Sequence, residues 1–429
     1  MKIQKLEYKV NTANELIASY DVSSDELHFY CEARQKDNTI FSLTDTIPNT
    51  YEGINNHFLE LEGHKIKSHL DHIHLFFEPT GGYEDIIKVM AFKRGYKVNY
   101  ISGEATKKAS VIEGNENGKS DKKDTRVINT LARMSKTLVC RDLPEDYALL
   151  RQTGNYYEDE SLAGGITRNK ISKVQRSLFP GLNYKSKFLH TVTGRNIINI
   201  YGFNPYKIAK QSLGSFVNRM KKHMLKCNKT TLSEVYRKAK FAVNVISEKE
   251  AQLLEEQLKW LYDQYTSIQS RKEKLKADML ERYRKLPEAE KLSLAKEIPP
   301  FQCARVIAET GPLNDFKNTA QIIKYAGLNI KLKQSGKYKG KDKISKKGRA
   351  LLRKILYQLT FTSLIKKSGC YHEYFKAKKK QMGNGIEAIV AVMRKALKMI
   401  SGVVTSSMEF DIKRVHMCQD EYKKFKPAV

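Results

Sequence analysis

Four carboxylates and one serine are the residues of this chain best placed to do chemistry. Asp21 lies inside the apolar run "LIASYDVS", Glu78 closes "HLFF" and precedes "PTGGY", and Asp121 and Asp124 open the stretch "KSDKKDTRVINTLA". A carboxylate within an apolar strand is costly unless it is paired or metal-bound, so Asp21 is the most informative of the four. A helix turns about 100° per residue, which puts Asp121 and Asp124 within about 60° of each other on one face. If the four converge they cannot all stay ionised without cations. Oxygen ligands of this kind suit hard divalent ions, Mg2+ or Mn2+. Two such ions roughly 4 Å apart would stabilise the attacking and leaving oxygens of a phosphoryl transfer. Taken alone, "KSDKKD" also reads as an exposed helix start whose acids complement the helix dipole.

Ser335 stands in "KLKQSGKYKGKDKISKKG", among Lys331, Lys333, Lys337, Lys339, Lys341, Lys343, Lys346 and Lys347, with Arg349, Arg353 and Lys354 following and Asp342 as the single acid. A serine hydroxyl is a weak nucleophile at neutral pH and needs a base, a metal or a strong positive field. This field would hold a phosphate and stabilise charge developing on its oxygens. A mobile loop that only touches phosphate, loosened by Gly336 and Gly340, fits the same residues. Lys333, Lys337, Lys339, Lys346, Lys347, Arg349 and Arg353 are the candidate nucleic-acid contacts. Ser345 falls where the N-cap of the following helix is expected.

These side chains need a scaffold that brings distant segments together. "ELIASYDVS", "ELHFYCEAR" and "NTIFSLTDTIPNT" read as an antiparallel meander, followed by a helix near 51 to 68, the strand "HIHLFFE", the helix "YEDIIKVMAFKRG" and the strand "YKVNYIS". Three strands, helix, strand, helix, strand is the order of the ribonuclease-H-like fold, in which the first and fourth strands are neighbours. The fold class is thus α/β plus α. An N-terminal domain over 1 to 145 precedes a helical region with a coiled coil over 146 to 290, and a mainly helical domain over 291 to 429. The coiled coil rests on Leu254, Leu258, Leu261, Tyr265, Ile268, Lys272, Leu275, Met279, Arg282 and Leu286, spaced by fours and threes up to Pro287. The seam fits dimerisation and pairing with a helix near 160 to 178 of the same chain equally well.

The bulk composition agrees with a nucleic-acid partner. Lys plus Arg number 77 against 47 Asp plus Glu, a net charge of +30 that a polyanion would offset. An anionic membrane surface is the rival. No apolar run reaches the roughly 18 residues of a membrane helix, and the first residues lack a signal-peptide core, so a cytoplasmic protein is expected. The six cysteines are scattered without a CxxC pair, which argues against a zinc site or a disulfide framework. His72 and His74 alternate on one strand and read as structural rather than metal-binding.

The blocks "YDVSSDEL", "FEPTGGY", "KSDKKDTRVINTLA" and "YAGLNIKLKQSGKYKGKDKISKKGRALLRKILY" resemble, in content and order, the DEDD-type transposases of the insertion-sequence-110 family, relatives of the Piv DNA invertases. The resemblance implies a RuvC-like N-terminal domain whose metal-binding tetrad is Asp21, Glu78, Asp121 and Asp124. It implies that Ser335 is the nucleophile and forms a covalent phosphoserine with a DNA end. It further implies a homo-oligomer, up to a tetramer, in which the two domains act across subunits, with donor DNA, target DNA and a noncoding bridge-type RNA as partners. Departures from the family pattern are Tyr20, where a small residue is usual, Thr125 in place of Ala, and Pro300 where glycine is usual. A Piv-like invertase, a RuvC-like nuclease without a covalent intermediate and a nonenzymatic nucleic-acid scaffold are the alternatives.

Overall fold

The computed structural model describes residues 14–34, 40–113, 121–182, 188, 191–223, 228–331, 334–335, 338–339, 343–366 and 369–406. Two compact units emerge, one of residues 1–144 with 314–318 and the other of 145–313 with 319–429. No helix among the described residues is long and apolar enough to cross a membrane.

The first unit runs β1 (Glu15–Val22), β2 (Glu26–Arg34), β3 (Ile40–Pro48), α1 (Tyr51–Lys67), β4 (His72–Phe77), α2 (Asp85–Lys93), β5 (Lys97–Tyr100), α3 (Gly103–Glu113), α4 (Asp121–Arg133) and β6 (Leu138–Val139). The order read from sequence, three strands, helix, strand, helix, strand, is present. One sheet holds all six strands as β3-β2-β1-β4-β5-β6, with β1 to β3 antiparallel and β1, β4 and β5 parallel. As a central strand β1 is covered on both faces, which accounts for its nearly unbroken apolar sequence. Leu16, Ala18 and Tyr20 pack with Ile54, Phe58 and Leu61 of α1 and Ile87 of α2. The alternate residue Ile17 packs, with Phe76 of β4, against Val127, Ile128 and Leu131 of α4. Period-two alternation therefore assigns every β1 side chain to one helical layer or the other.

Two buried polar groups tie this core to pH. Glu15 is buried against His74, whose Nδ1 lies 3.0 Å from its carboxylate, and Lys97 pairs with it from β5. Burial would raise the Glu15 pKa, but the bonds from His74 and Lys97 prevail and hold it at about 2. His74 is therefore committed to a structural pair. On the other face the Tyr20 hydroxyl lies 3.0 Å from His57 Nε2, and Nδ1 of that ring has no partner among the described residues. Burial pushes the His57 pKa down from 6.5 to about 4.

The two groups titrate in separate windows. Between pH 6.5 and 4 the unfolded chain takes up a proton at His57 that the folded unit refuses, so stability falls by up to about 3 kcal/mol as pH drops through that range. Glu15 acts lower, its stabilisation present above pH 4.5 and lost as pH falls towards about 2. We expect His57→Leu to abolish most of the fall in melting temperature between pH 7 and pH 5 that the unsubstituted protein shows. An unchanged pH slope in the variant would assign the effect to other groups.

The second unit begins with α5 (Glu145–Leu178), continues through α6 (Val192–Tyr201), α7 (Pro205–Ala209), α8 (Leu213–Lys222) and α9 (Lys229–Ala242), and returns in α10 (Glu248–Arg284). The helix α5 stops just before Phe179-Pro180-Gly181, with Gly181 at a left-handed φ of 77°. Ser247 caps α10 by accepting from Glu250 N–H at 3.2 Å. The two long helices pack antiparallel along each other, as the pairs Thr153 with Asp278, Tyr157 with Lys272 and Glu160 with Arg271 show. The seam of α10 packs on α5, a helix of the same chain. Leu258, Leu261, Ile268 and Met279 are buried there, each worth about 1.5–3 kcal/mol. The charged seam positions are accommodated locally, Lys272 over the Tyr157 ring and Arg282 on Asp278. The short helices α6 to α9 close a core around Phe179, Phe203 and Phe216 that also takes in Ile171 of α5 and Leu258 and Leu261 of α10.

The rest of this unit comprises α11 (Pro287–Ser293), α12 (Pro300–Thr310), α13 (Thr319–Tyr325), four two-residue strands, β7 (Ile330–Lys331), β8 (Gln334–Ser335), β9 (Tyr338–Lys339) and β10 (Lys343–Ile344), then α14 (Ala350–Leu359), a π-helical turn, α15 (Cys370–Met382) and α16 (Gly385–Thr405). The boundary expected at 290/291 falls inside this unit because α12 is fastened to α5. Arg151 donates to the carbonyls of Ala308 (2.9 Å) and Glu309 (2.7 Å), and the nearly buried Arg305 pairs with Glu158. Cys31, Cys140 and Cys303 are buried free thiols, their pKa raised by burial to about 12, 11 and 12.

Candidate active site

The carboxylates of the first unit are placed by strand register. Parallel pairing of β1 with β4 runs to Tyr20 opposite Phe77, so Asp21 and Glu78 are the next residues on neighbouring strands, at the same end of the sheet. Alternation puts Asp21 on the face of Ile17 and Ser19, and Glu78 on that of Phe76, which is the face covered by α3 and α4. Tyr20 points the opposite way, onto His57, which explains how a bulky residue is accommodated beside Asp21. Both acids are half-buried where the sheet opens at its end.

The helix bearing the other two acids is latched to this end. Ser19 Oγ donates to the carbonyl of Thr125 at 2.8 Å, one residue after Asp124, and also lies 3.0 Å from the carbonyl of Tyr30. Further along α4, Arg126 covers the Tyr30 ring at 5.7 Å and Arg133 pairs with Glu32 at 2.7 Å. Asp124 is half-buried at the helix start. Asp121 is the first residue of α4, but its side chain lies outside the described residues.

The loops beyond Asp21 and Glu78 are braced by side chains that sequence reading passed over. Glu84 accepts from Thr80 Oγ1 (2.5 Å), Thr80 N (3.2 Å) and Gly82 N (3.0 Å), folding "PTGGY" into a tight exit with Gly81 and Gly82 at positive φ. Burial would raise the pKa of Glu84, but these donors lower it. Asn49 Nδ2 donates to the carbonyls of both Ser23 and Tyr83, joining the turn after Asp21 to the turn after Glu78. A Cβ on Gly103, at the start of α3, would lie 2.9 Å from Glu78 Oε2. Ser19 and Gly103 left only a faint signal in sequence, a small residue two positions before Asp21 and a glycine opening a helix.

The fit to a divalent metal rests on donor chemistry: Asp21, Glu78 and Asp124 offer hard oxygen atoms, and the space beside Gly103 is taken by the Glu78 carboxylate. Among the described residues no three His, Cys, Asp or Glu side chains group closely enough to hold a metal by themselves.

Ser335 belongs to the second unit and lies in the two-residue strand β8. β7 pairs with β10, and β8 pairs with β9 in a separate two-stranded sheet, Ser335 opposite Tyr338. The side chains of Ser335 and Lys339, and all of Lys333 and Lys337, lie outside the described residues. The base of the hairpin is firmly tied. Ser345 N donates to the Asn329 carbonyl (2.8 Å) and Ser345 Oγ to Asn329 Oδ1 (2.6 Å). Ser345 is thus not a helix cap, because α14 begins only at Ala350. Gly348, at φ 146°, passes so close to the Tyr325 carbonyl that a Cβ would stand 2.3 Å from it.

The arginines expected to contact nucleic acid have partners inside the unit. Arg349 forms a two-pronged pair with Glu309 at 3.1 and 3.2 Å, and Arg353 Nη1 donates to the carbonyls of Ala326 and Gly348. Lys346 and Lys347 are exposed beside them. Ser345→Ala should lower stability by about 1 kcal/mol through the lost Asn329 bond, read as a shift in melting temperature, while any DNA reaction of the protein persists.

Two family profiles match the chain. One, described as Transposase IS116/IS110/IS902 family, covers residues 290–376, and the other, a DEDD transposase profile of the same insertion-sequence type, covers 18–180. The chain belongs to the insertion-sequence-110 transposases. No curated protein matches it. In this transposase the match over 18–180 encloses all four carboxylates and the match over 290–376 encloses Ser335, and the substrate class is DNA.

Proposed function

We propose that this transposase cuts and rejoins DNA strands through Ser335, assisted by Mg2+ or Mn2+ at Asp21, Glu78, Asp121 and Asp124 of a RuvC-like domain. The observation that carries the metal site is the β1–β4 register, which sets Asp21 and Glu78 side by side on the face that α4 covers. The strand order β3-β2-β1-β4-β5 supports the RuvC-like reading. A metal held there would supply Lewis acidity to the phosphate oxygens.

The chain's own residues bind and exchange. Exposed Lys346 and Lys347 hold the phosphate backbone near the hairpin. Ser335 Oγ forms a bond to phosphorus as the bond to the leaving sugar oxygen breaks. The serine proton is given up and the departing hydroxyl gains one. An incoming sugar hydroxyl then attacks the phosphoserine, which restores the phosphodiester and frees the serine. Ester exchange conserves the bond energy that hydrolysis would discard, as rejoining requires.

The carboxylates and Ser335 meet across subunits of a homo-oligomer, and an element-encoded noncoding RNA selects donor and target DNA. Labelled DNA incubated with the protein and Mg2+ should yield a covalent adduct on a denaturing gel. Free 5′-phosphate ends without an adduct would indicate a nuclease instead. RNA that copurifies and pairs with the element ends would support guidance, and full activity of RNA-free protein would refute it.

A further inference from the structure

Gly103 opens α3, yet its backbone does not call for glycine, since its φ lies outside the left-handed region. Glycine is a poorer helix former than alanine, so its presence at a helix start needs another reason. The three heavy atoms nearest a Cβ at this position all belong to Glu78, with Oε2 at 2.9 Å, Cδ at 3.7 Å and Oε1 at 4.0 Å. The backbone on either side is fixed. Ile101 N donates to the carbonyl of Phe77, the residue before Glu78, at 3.0 Å, and Ser102 O accepts from Ala105 N at 2.7 Å and Thr106 N at 3.0 Å. With α3 anchored to the end of β4, an added methyl group would move the Glu78 carboxylate and leave the helix in place.

We propose that Gly103 is a positioning residue for Glu78, its bare Cα providing the space in which that carboxylate is held at the end of the sheet. The inference rests on the reading of Glu78 as a metal ligand. It is tested on the full chain by Mn2+ titration followed by electron paramagnetic resonance, with metal-free thermal unfolding measured in parallel. Gly103→Ala should unfold no earlier than the unsubstituted protein without metal, and should bind Mn2+ about 10- to 100-fold more weakly. In a Glu78→Ala background the same substitution should weaken Mn2+ no further, because its effect passes through Glu78.

Unchanged Mn2+ affinity in Gly103→Ala, alongside weakened binding by Glu78→Ala, would overturn the positioning role and spare the ligand assignment. A lower metal-free melting temperature, or equal weakening in both backgrounds, would show that the glycine serves the fold. Unaltered Mn2+ binding by Glu78→Ala would remove the ligand assignment itself, and the role of Gly103 with it.

Discussion

Ser335→Ala is expected to abolish the covalent protein–DNA adduct and to reduce strand exchange by about 10^4-fold or more, while leaving fold and DNA binding intact. The size of the effect follows from the role. Removing a nucleophile removes the bond-forming atom, whereas removing a phosphate contact weakens binding modestly and in proportion to salt. The fold should survive because the base of this segment is anchored elsewhere, by Ser345 on Asn329 and by Arg349 on Glu309. Three measurements separate the possibilities: adduct on a denaturing gel, DNA retention on a native gel, and melting temperature. An adduct surviving at normal level would sink the serine assignment, and loss of binding together with the adduct would return Ser335 to a phosphate-contacting role.

Asp124→Ala should lower Mg2+-dependent recombination by about 1,000-fold or more. Its structural cost should be small, since a half-buried acid in the first turn of a helix contributes about 0.3–1 kcal/mol through the helix dipole. The latch between α4 and the sheet runs through Ser19 and the Thr125 carbonyl, which this substitution leaves in place. A variant that folds and binds DNA but does not exchange strands would assign Asp124 to chemistry. Recombination of two paired DNA sites at undiminished rate would refute the tetrad.

The two expectations draw on different parts of the molecule, and sequence served them unequally. The β-rich runs of the first unit were legible because a nearly unbroken apolar run reports a strand covered on both faces, as in β1, and alternation reports one covered on a single face. The seam of α10 was legible as an apolar stripe, but its partner was not. A stripe records that something packs there, and which helix does so depends on how the chain returns through α6 to α9. Ser345 was misplaced for a related reason. A serine near a helix start and a serine pinning a hairpin base look alike until Asn329 is brought beside it.

The amino-acid sequence by itself determined the chemistry on offer: hard oxygen donors at Asp21, Glu78, Asp121 and Asp124, a serine in a lysine-rich segment, a net charge of +30, and the family. Tertiary structure alone decided which of these are neighbours and which are already occupied. The β1–β4 register aligns Asp21 with Glu78, Ser19 holds the start of α4 to the same face, and Glu309 engages an arginine that sequence had assigned to DNA. The physical reason is that residue type and local periodicity are read within one element. Register, helix return and ion pairing join residues tens to more than a hundred positions apart, as Ser19 and Thr125 are, and they follow from the packing of the whole unit.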